Sequence, residues 1–146
     1  MTISDVMTPN PEFCLVDDTL LDCAQLMAHK DVGLIPICES RDTRRVVGVV
    51  TDRDIVVRAV AEDRDPAVVR AGEVMSQRLV TCTEIDDLAQ VTQLMEDHQV
   101  RRILVIDEYG SLVGVVATAD LARNGDRADV AEALEAISAP APSPTK

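Results

Sequence analysis

The segment from Thr51 to Asp54 holds the residues best suited to bind a small ligand. The apolar run Arg45–Val50 predicts a strand, and a helix is expected to begin near Thr51. The Thr51 hydroxyl and the free backbone N–H groups of that first helical turn would face one point, which suits a phosphate group. Asp54 lies one turn further on, where its carboxylate can accept hydrogen bonds from a vicinal diol such as ribose. Arg53 adds positive charge.

The same residues also fit a purely structural interpretation. A Thr followed three residues later by an acid is a capping box, in which each side chain accepts a hydrogen bond from the other residue's backbone N–H. One pair of side chains can cap a helix and contact a ligand. The sequence therefore leaves both interpretations of Thr51 and Asp54 open.

These residues belong to a unit that occurs twice. Asp5-Val6-Met7 recurs as Glu73-Val74-Met75, 68 residues later. Val47-Gly48-Val49-Val50 recurs as Val113-Gly114-Val115-Val116, 66 residues later, so copy two is two residues shorter in an internal turn. A duplicated unit predicts two similar folds related by pseudo-twofold symmetry.

Each copy predicts the order strand, helix, strand, strand, helix. Helical spacing follows the first strand, as Leu20, Cys23, Ala24 and Met27 show in copy one. The predicted strands are Phe13–Val16, Leu34–Cys38 and Arg45–Val50 in copy one, and Leu79–Cys82, Ile103–Asp107 and Leu112–Val116 in copy two. The expected fold class is α+β, with two packed βαββα repeats.

The chain is expected to divide at changes of composition. The predicted segments are a first repeat domain (1–62), a linker (63–72), a second repeat domain (73–124), a C-terminal helix (125–138) and a disordered tail (139–146). In the linker, Asp65-Pro66 predicts a helix that starts with Pro at its first position. Val130, Leu134 and Ile137 share one face, which predicts that the C-terminal helix is amphipathic.

Charge and composition exclude several classes of protein. The net charge of −12 disfavours nucleic acid and anionic membrane surfaces. No apolar run approaches the roughly 20 residues of a membrane span, and the N-terminus is not that of a signal peptide, so a cytoplasmic protein is expected. Four cysteines without C-x-x-C spacing and two histidines predict free thiols and no metal site. No nucleophile–base–acid set or phosphate-loop motif is present, so no enzyme is expected.

Copy two departs from copy one at the candidate site. Ala117 stands where copy one has Thr51, although Asp120 matches Asp54. Thr118, one position later, is the expected substitute cap of the following helix.

The repeated residues resemble a known family. Each copy resembles a cystathionine-β-synthase (CBS) domain, and the pair resembles a Bateman module over roughly residues 3–124. The resemblance is carried by the openings Asp5-Val6-Met7 and Glu73-Val74-Met75, the strand Gly33–Ile37 and the closing segment Gly48–Asp54. The chain is similar to small stand-alone paired-CBS proteins of the hypoxic-response type.

The resemblance implies a regulatory protein that binds AMP, ADP, ATP or S-adenosylmethionine between the copies, dimerises and acts on a protein partner. The family motif Gly-h-h-[Ser/Thr]-x-x-Asp, with h apolar, is complete at Thr51 and Asp54 and broken at Ala117. One ligand per chain, or none, is therefore expected rather than two. The alternative is a non-catalytic scaffold dimer whose nucleotide clefts are vestigial.

The resemblance also implies roles for a basic residue and two cysteines. Arg102 opens a strand where family members often place a basic side chain near ligand phosphates; alternatively, Arg101-Arg102 is a solvated pair that balances nearby acids. Cys14 and Cys38 lie on strands that approach each other in a CBS unit, which makes them the candidate pair for a disulfide or redox switch.

Overall fold

Both copies form the predicted order of elements in the computed structural model, which describes residues 1–124. The helices are α1 (Ile3–Val6), α2 (Leu20–Lys30), α3 (Asp52–Ile55), α4 (Ala71–Val74), α5 (Leu88–His98) and α6 (Thr118–Asn124), with a π-helical turn at Val56–Val60. The strands are β1 (Thr8–Pro9), β2 (Cys14–Leu15), β3 (Leu34–Cys38), β4 (Val46–Thr51), β5 (Thr81–Cys82), β6 (Arg102–Ile106) and β7 (Leu112–Ala117). The mixed α/β fold with two βαββα repeats is confirmed.

The predicted helix at Asp65-Pro66 is wrong. The N–H groups of Val68 and Val69 both donate to the Asp65 carbonyl at 3.0 Å, which closes a single turn. The chain cannot continue as a helix because Leu20 N donates to the Val69 carbonyl at 2.9 Å, and Arg70 forms a bridge with Thr19. The predicted C-terminal helix (125–138) and tail (139–146) lie outside the described residues.

The contacts divide the chain into two units that differ from the two sequence copies. The copy-one unit consists of Asn10–Leu79 and Glu108–Leu112. Within the described residues, the copy-two unit consists of Met1–Pro9, Val80–Asp107 and residues 113–124. Each unit thus contains the opening segment of the other copy.

The copy-one unit is built on the sheet β2-β3-β4. β2 pairs with β3 in parallel, and β3 pairs with β4 in antiparallel register, with Leu34 opposite Thr51. Burial alternates along β4, because successive side chains point to opposite faces of a strand. The core is aliphatic, and its buried side chains include Leu20, Ile35, Ile37 and Val50.

The copy-two unit is built on the sheet β1-β7-β6-β5. β5 pairs with β6 in parallel, and β1 pairs with β7 in antiparallel register, with Thr8 opposite Val115. Its core is again aliphatic, with Val91, Met95, Ile103 and Val116 among the buried side chains.

The short helices α1 and α4 are held by loop carbonyls. The first N–H groups of a helix have no partner within it. In the copy-one unit, Ala71 N donates to the Asp18 carbonyl at 2.7 Å and Gly72 N donates to the Val16 carbonyl at 3.0 Å. In the copy-two unit, the corresponding N–H groups of Ile3 and Ser4 donate to carbonyls of the loop after β5, at 2.9 and 3.0 Å. The repeated opening segments are therefore equivalent in structure as well as in sequence.

Candidate functional site

The junction of β4 and α3 contains the capping box that the sequence predicts. Asp54 N donates to Thr51 Oγ1 at 3.1 Å, and Thr51 N donates to Asp54 Oδ2 at 2.9 Å. The capping interpretation of these two residues is confirmed. Both side chains are thereby held in place at the end of the strand.

The backbone N–H groups of this turn are already satisfied. Asp52 N donates to the Gly33 carbonyl at 3.0 Å, and Arg53 N donates to Asp52 Oδ1 at 2.8 Å. Together with the capping box, these bonds engage all four N–H groups from Thr51 to Asp54. The prediction that free N–H groups here suit a phosphate is therefore wrong, and a ligand at this junction would have to be bound by side chains.

Three side-chain groups at the junction remain able to bind. The Thr51 hydroxyl accepts in the capping box and keeps a proton to donate. The second carboxylate oxygen of Asp54, Oδ1, lies 3.9 Å from Arg58 Nε, a long ion pair that leaves room for another donor. Arg53 is exposed and forms no ion pair with the residues from 1 to 124.

Asp52 and Gly33 were not among the candidates from sequence. A Cβ atom at Gly33 would lie 3.1 Å from Asp52 Oδ2, so the opening of β3 passes closely beside the start of α3. Nothing in a local sequence pattern marks this approach, because it arises from the antiparallel pairing of β3 with β4. The acidic residue directly after Thr51 is visible in the sequence, but its approach to Gly33 is not.

At the corresponding junction of β7 and α6 in the second copy, both oxygens of the acidic side chain already have partners. The side chain of Asp120 is buried; its Oδ2 accepts from Ala117 N at 2.8 Å and its Oδ1 pairs with Arg123. Thr118 is the first residue of α6, so the prediction that it caps the helix is wrong. Asp120 satisfies the N–H of Ala117 directly, and that bond needs no hydroxyl side chain at position 117 or 118.

Arg102 lies at this second junction, exposed at the start of β6. Thr118 N donates to the Arg101 carbonyl at 3.0 Å, which joins the start of β6 to the start of α6. The copy-two unit thus brings Arg102, Thr118 and Asp120 to one place. Arg102 forms no ion pair with a carboxylate of the described chain.

The cysteines are arranged differently from the expectation. β2 and β3 place Cys14 opposite Ile37, and Cys38 opposite Leu15, so Cys14 and Cys38 are not paired across the strands. All four cysteines are buried free thiols. Cys14 and Cys23 both belong to the core of the copy-one unit, and the Cys38 thiol donates to the Arg44 carbonyl at 3.5 Å.

Two further properties concern the described residues as a whole. Between residues 1 and 124, no group of three or more His, Cys, Asp or Glu side chains is placed to hold a metal ion. Nor does any helix in that range combine the length and apolar character needed to cross a bilayer.

The comparison with known protein families matches each of the two copies separately. Residues 3–60 and 71–127 each match the CBS domain family. Hypoxic response protein 1 of Mycobacterium tuberculosis is 35% identical over 139 residues, which cover 95% of each chain.

Solved structures agree with this match. The crystal structure of Hypoxic Response Protein I with two coordinated zinc ions has a TM-score of 0.77 and 36% identity, covering 86% of this chain and all of that one. A CBS domain protein from Pyrobaculum aerophilum complexed with AMP has a TM-score of 0.75 and 29% identity, covering 92% and 98% of the two chains. The chain, with its two repeats of one βαββα unit, belongs to the CBS domain family.

Proposed function

We propose that this chain is a cytoplasmic regulatory protein that binds one adenine nucleotide, AMP, ADP or ATP, or a related adenosyl ligand such as S-adenosylmethionine. Ligand binding changes how the protein interacts with a protein partner. The chain itself catalyses no reaction. The observation that carries the proposal is the β4–α3 junction, where Thr51 and Asp54 are held rigidly and each retains an unused polar function.

The chemistry of the junction fits a nucleoside phosphate. A vicinal diol presents two O–H donors, and Asp54 Oδ1 is an acceptor whose present partner, Arg58, lies at the limit of ion-pair distance. The Asp54 side chain is 17% exposed, so it is accessible yet partly shielded from competing water. Thr51 donates from its hydroxyl, and Arg53 supplies an exposed positive charge for phosphate. The AMP complex of a relative with 29% identity supports the same ligand class.

The second junction supports one ligand per chain. Both carboxylate oxygens of Asp120 are engaged, and Ala117 has no hydroxyl to donate. A diol there would have to displace Arg123 from a buried carboxylate, which costs the energy of a charge-assisted hydrogen bond. Arg102 and Thr118 alone offer a weaker anchor for a nucleotide.

Thr51→Ala is the sharpest test, because the chain offers a matched control. α2 carries the same capping box: Asp22 N donates to Thr19 Oγ1 at 3.1 Å and Thr19 N donates to Asp22 Oδ2 at 2.9 Å. Thr51→Ala and Thr19→Ala should each lose about 1 kcal/mol of stability through the lost cap. Only Thr51→Ala should lose the rise in melting temperature that AMP, ADP, ATP or S-adenosylmethionine produces.

Ligand at 100 times its Kd stabilises the native state by about 2.7 kcal/mol, which thermal melting readily detects. The wild-type protein and Thr19→Ala should both show this stabilisation. A shift that persists in Thr51→Ala would place the site elsewhere. No shift in the wild-type protein with any of the four ligands would favour the scaffold alternative.

A homodimer is part of the proposal, and it is shared with the scaffold alternative. Val56, Val57 and Val60 follow α3 and are 57%, 45% and 57% exposed, an unusual cluster of apolar side chains on one helical segment. Val60→Glu should weaken the dimer about tenfold or more, because it puts a charge into an apolar contact. Sedimentation velocity measures the change, and Val68→Glu, at an exposed valine outside the cluster, is the control. A monomeric wild-type protein would contradict this part of the proposal.

A further inference from the structure

Arg58 contacts both the candidate ligand site and the short helix α4. Its Nε lies 3.9 Å from Asp54 Oδ1, and its Nη1 donates to the Val74 carbonyl at 2.8 Å. Val74 is the last residue of α4 and lies 16 residues from Arg58 in the sequence. One guanidinium group therefore joins the carboxylate that would bind a diol to a separate helix of the copy-one unit.

The bond from Arg58 holds the end of α4. The last carbonyl groups of a helix have no partner within it, and a positively charged side chain is favourable beside them. α4 has only four residues, so its own hydrogen bonds contribute little to its stability. Its position depends on contacts with neighbouring segments, and the bond from Arg58 to Val74 is one of these contacts.

The segment after α4 is attached to β4. Met75 lies against Gly48, and Ser76 exchanges two backbone hydrogen bonds of 2.8 and 2.9 Å with Val49. The chain enters the copy-two unit at Val80, four residues after Ser76. A change in how firmly α4 is held would therefore act on the segment through which the chain passes from one unit to the other.

The backbone at Arg58 is unusual. Arg58 lies at the centre of the π-helical turn Val56–Val60, which follows α3 directly. The Ala61 N–H donates to the Val56 carbonyl at 2.8 Å, across five residues. Turns of this kind are rare and are frequently found at functional sites. Its presence at the residue that joins Asp54 to Val74 supports a role for Arg58 beyond the stability of its own helix.

The second copy has a different residue at this position. Asn124 lies 66 residues after Arg58, as Asp120 does after Asp54. The Asn124 side chain donates to the Asp120 carbonyl at 2.9 Å, within its own helix. The arginine that makes the link thus occurs in the copy whose Thr-x-x-Asp motif is complete.

We propose that Arg58 transmits ligand binding at the Asp54 carboxylate to α4. In the ligand-free chain, Asp54 Oδ1 attracts the guanidinium group and helps to hold it at the Val74 carbonyl. When a ligand hydroxyl donates to Oδ1, the ion pair weakens, Arg58 leaves Val74, and α4 is held less firmly. The proposal rests on the proposed function for its ligand, whereas the link from Asp54 through Arg58 to α4 is a property of the chain itself.

Hydrogen exchange of α4 in the ligand-free full chain, measured by mass spectrometry, tests the link. The N–H groups of Ala71, Gly72 and Met75 form hydrogen bonds of 2.7, 3.0 and 2.9 Å, so their exchange reports how often α4 opens. Arg58→Met should speed this exchange about threefold to tenfold, because it removes a charge-assisted hydrogen bond. Unchanged exchange in Arg58→Met would overturn the proposal.

Asp54→Asn tests whether the acid acts through the arginine. Asparagine keeps an oxygen for the Thr51 N–H but has an NH2 group in place of Oδ1, so it cannot attract Arg58. Asp54→Asn should speed exchange of α4 about twofold to fivefold in the wild-type chain and should have no effect in Arg58→Met. Equal effects in the two chains would contradict the proposal, because the acid would then act on α4 by another route.

Arg64 provides the matched control. Its Nη2 lies 3.1 Å from Glu73 Oε1, so its ion pair is with α4 and not with Asp54. Arg64→Met should also loosen α4, but Asp54→Asn should keep its effect in that chain. If the effect of Asp54→Asn disappeared in Arg64→Met too, any loosening of α4 would abolish it, and the specific role of Arg58 would be wrong.

AMP at saturating concentration completes the test, with saturation judged from the melting temperature of each variant. AMP should speed exchange of α4 in the wild-type and Arg64→Met chains but not in Arg58→Met. Because a bound ligand slows exchange in the unit as a whole, faster exchange confined to α4 is specific to the release of Arg58.

The ligand measurements separate this proposal from the proposed function. A wild-type chain whose melting temperature rises with AMP while α4 exchanges no faster would overturn the role of Arg58 and leave the proposed function intact. A wild-type melting temperature that AMP does not change would count against the proposed function alone. The ligand-free comparison of Asp54→Asn in the wild-type, Arg58→Met and Arg64→Met chains would then decide the link.

Discussion

Ile3→Ala should remove about 2–5 kcal/mol of stability from the copy-two unit, although Ile3 belongs to the sequence of copy one. Ile3 has no exposed surface and packs into the same core as Val91, Ile103 and Val116. The substitution leaves a cavity in that core, and a loss of this size is a large part of the 5–15 kcal/mol typical of a folded domain.

Hydrogen exchange measured by mass spectrometry locates the loss. Ile3→Ala should lower protection in Val80–Asp107, and the reciprocal variant Val74→Ala should lower it in Asn10–Leu79. Val74 is 2% exposed and belongs to the core of the copy-one unit, so it is the matched control. If Ile3→Ala lowered protection mainly within Asn10–Leu79, the assignment of the opening segments to the units would be wrong.

Gly48→Val should destabilise the copy-one unit by about 1–3 kcal/mol through overpacking. A Cβ atom at Gly48 would lie 2.5 Å from Met75 Sδ and 3.0 Å from the carbonyl oxygen of Ser76. The Met75 side chain can move, but Ser76 cannot easily follow, because Ser76 and Val49 exchange two backbone hydrogen bonds of 2.8 and 2.9 Å. The strain therefore falls on the contact between β4 and the segment after α4.

Urea denaturation measures this effect, and a double-mutant cycle tests its cause. Gly48→Ala should be destabilised less than Gly48→Val, and Met75→Ala in the same chain should restore part of the loss. Gly114→Val provides the counterpart in the copy-two unit, where the added Cβ would lie 2.5 Å from Met7 Sδ. A neutral Gly48→Val would show that β4 and the Ser76 segment are not in close contact.

The sequence predicted well those features that depend on neighbours a few residues away. Apolar periodicity placed β3 at Leu34–Cys38 with the observed bounds. The Thr-x-x-acid spacing predicted the cap at Thr51, and that hydrogen-bonded box formed as expected. The offset repeats predicted that the two copies would share one order of elements. Each of these follows from backbone geometry within one helical turn or one strand.

Other features depended on pairing between distant segments. The hydrogen bond from Asp52 N to the Gly33 carbonyl depends on the antiparallel register of β3 and β4. The sequence predicted free thiols, but only the parallel register of β2 and β3 placed Cys14 opposite Ile37 rather than opposite Cys38.

By itself, the sequence determined the duplicated βαββα unit, the aliphatic cores and the Thr51–Asp54 cap. Only the tertiary structure decided that Asp5-Val6-Met7 packs in the unit of copy two and Glu73-Val74-Met75 in the unit of copy one. The physical reason is that the duplication makes Gly48 and Gly114 equivalent sites against which either Met7 or Met75 could pack. Local patterns cannot choose between equivalent partners, so the path of the whole chain makes the choice.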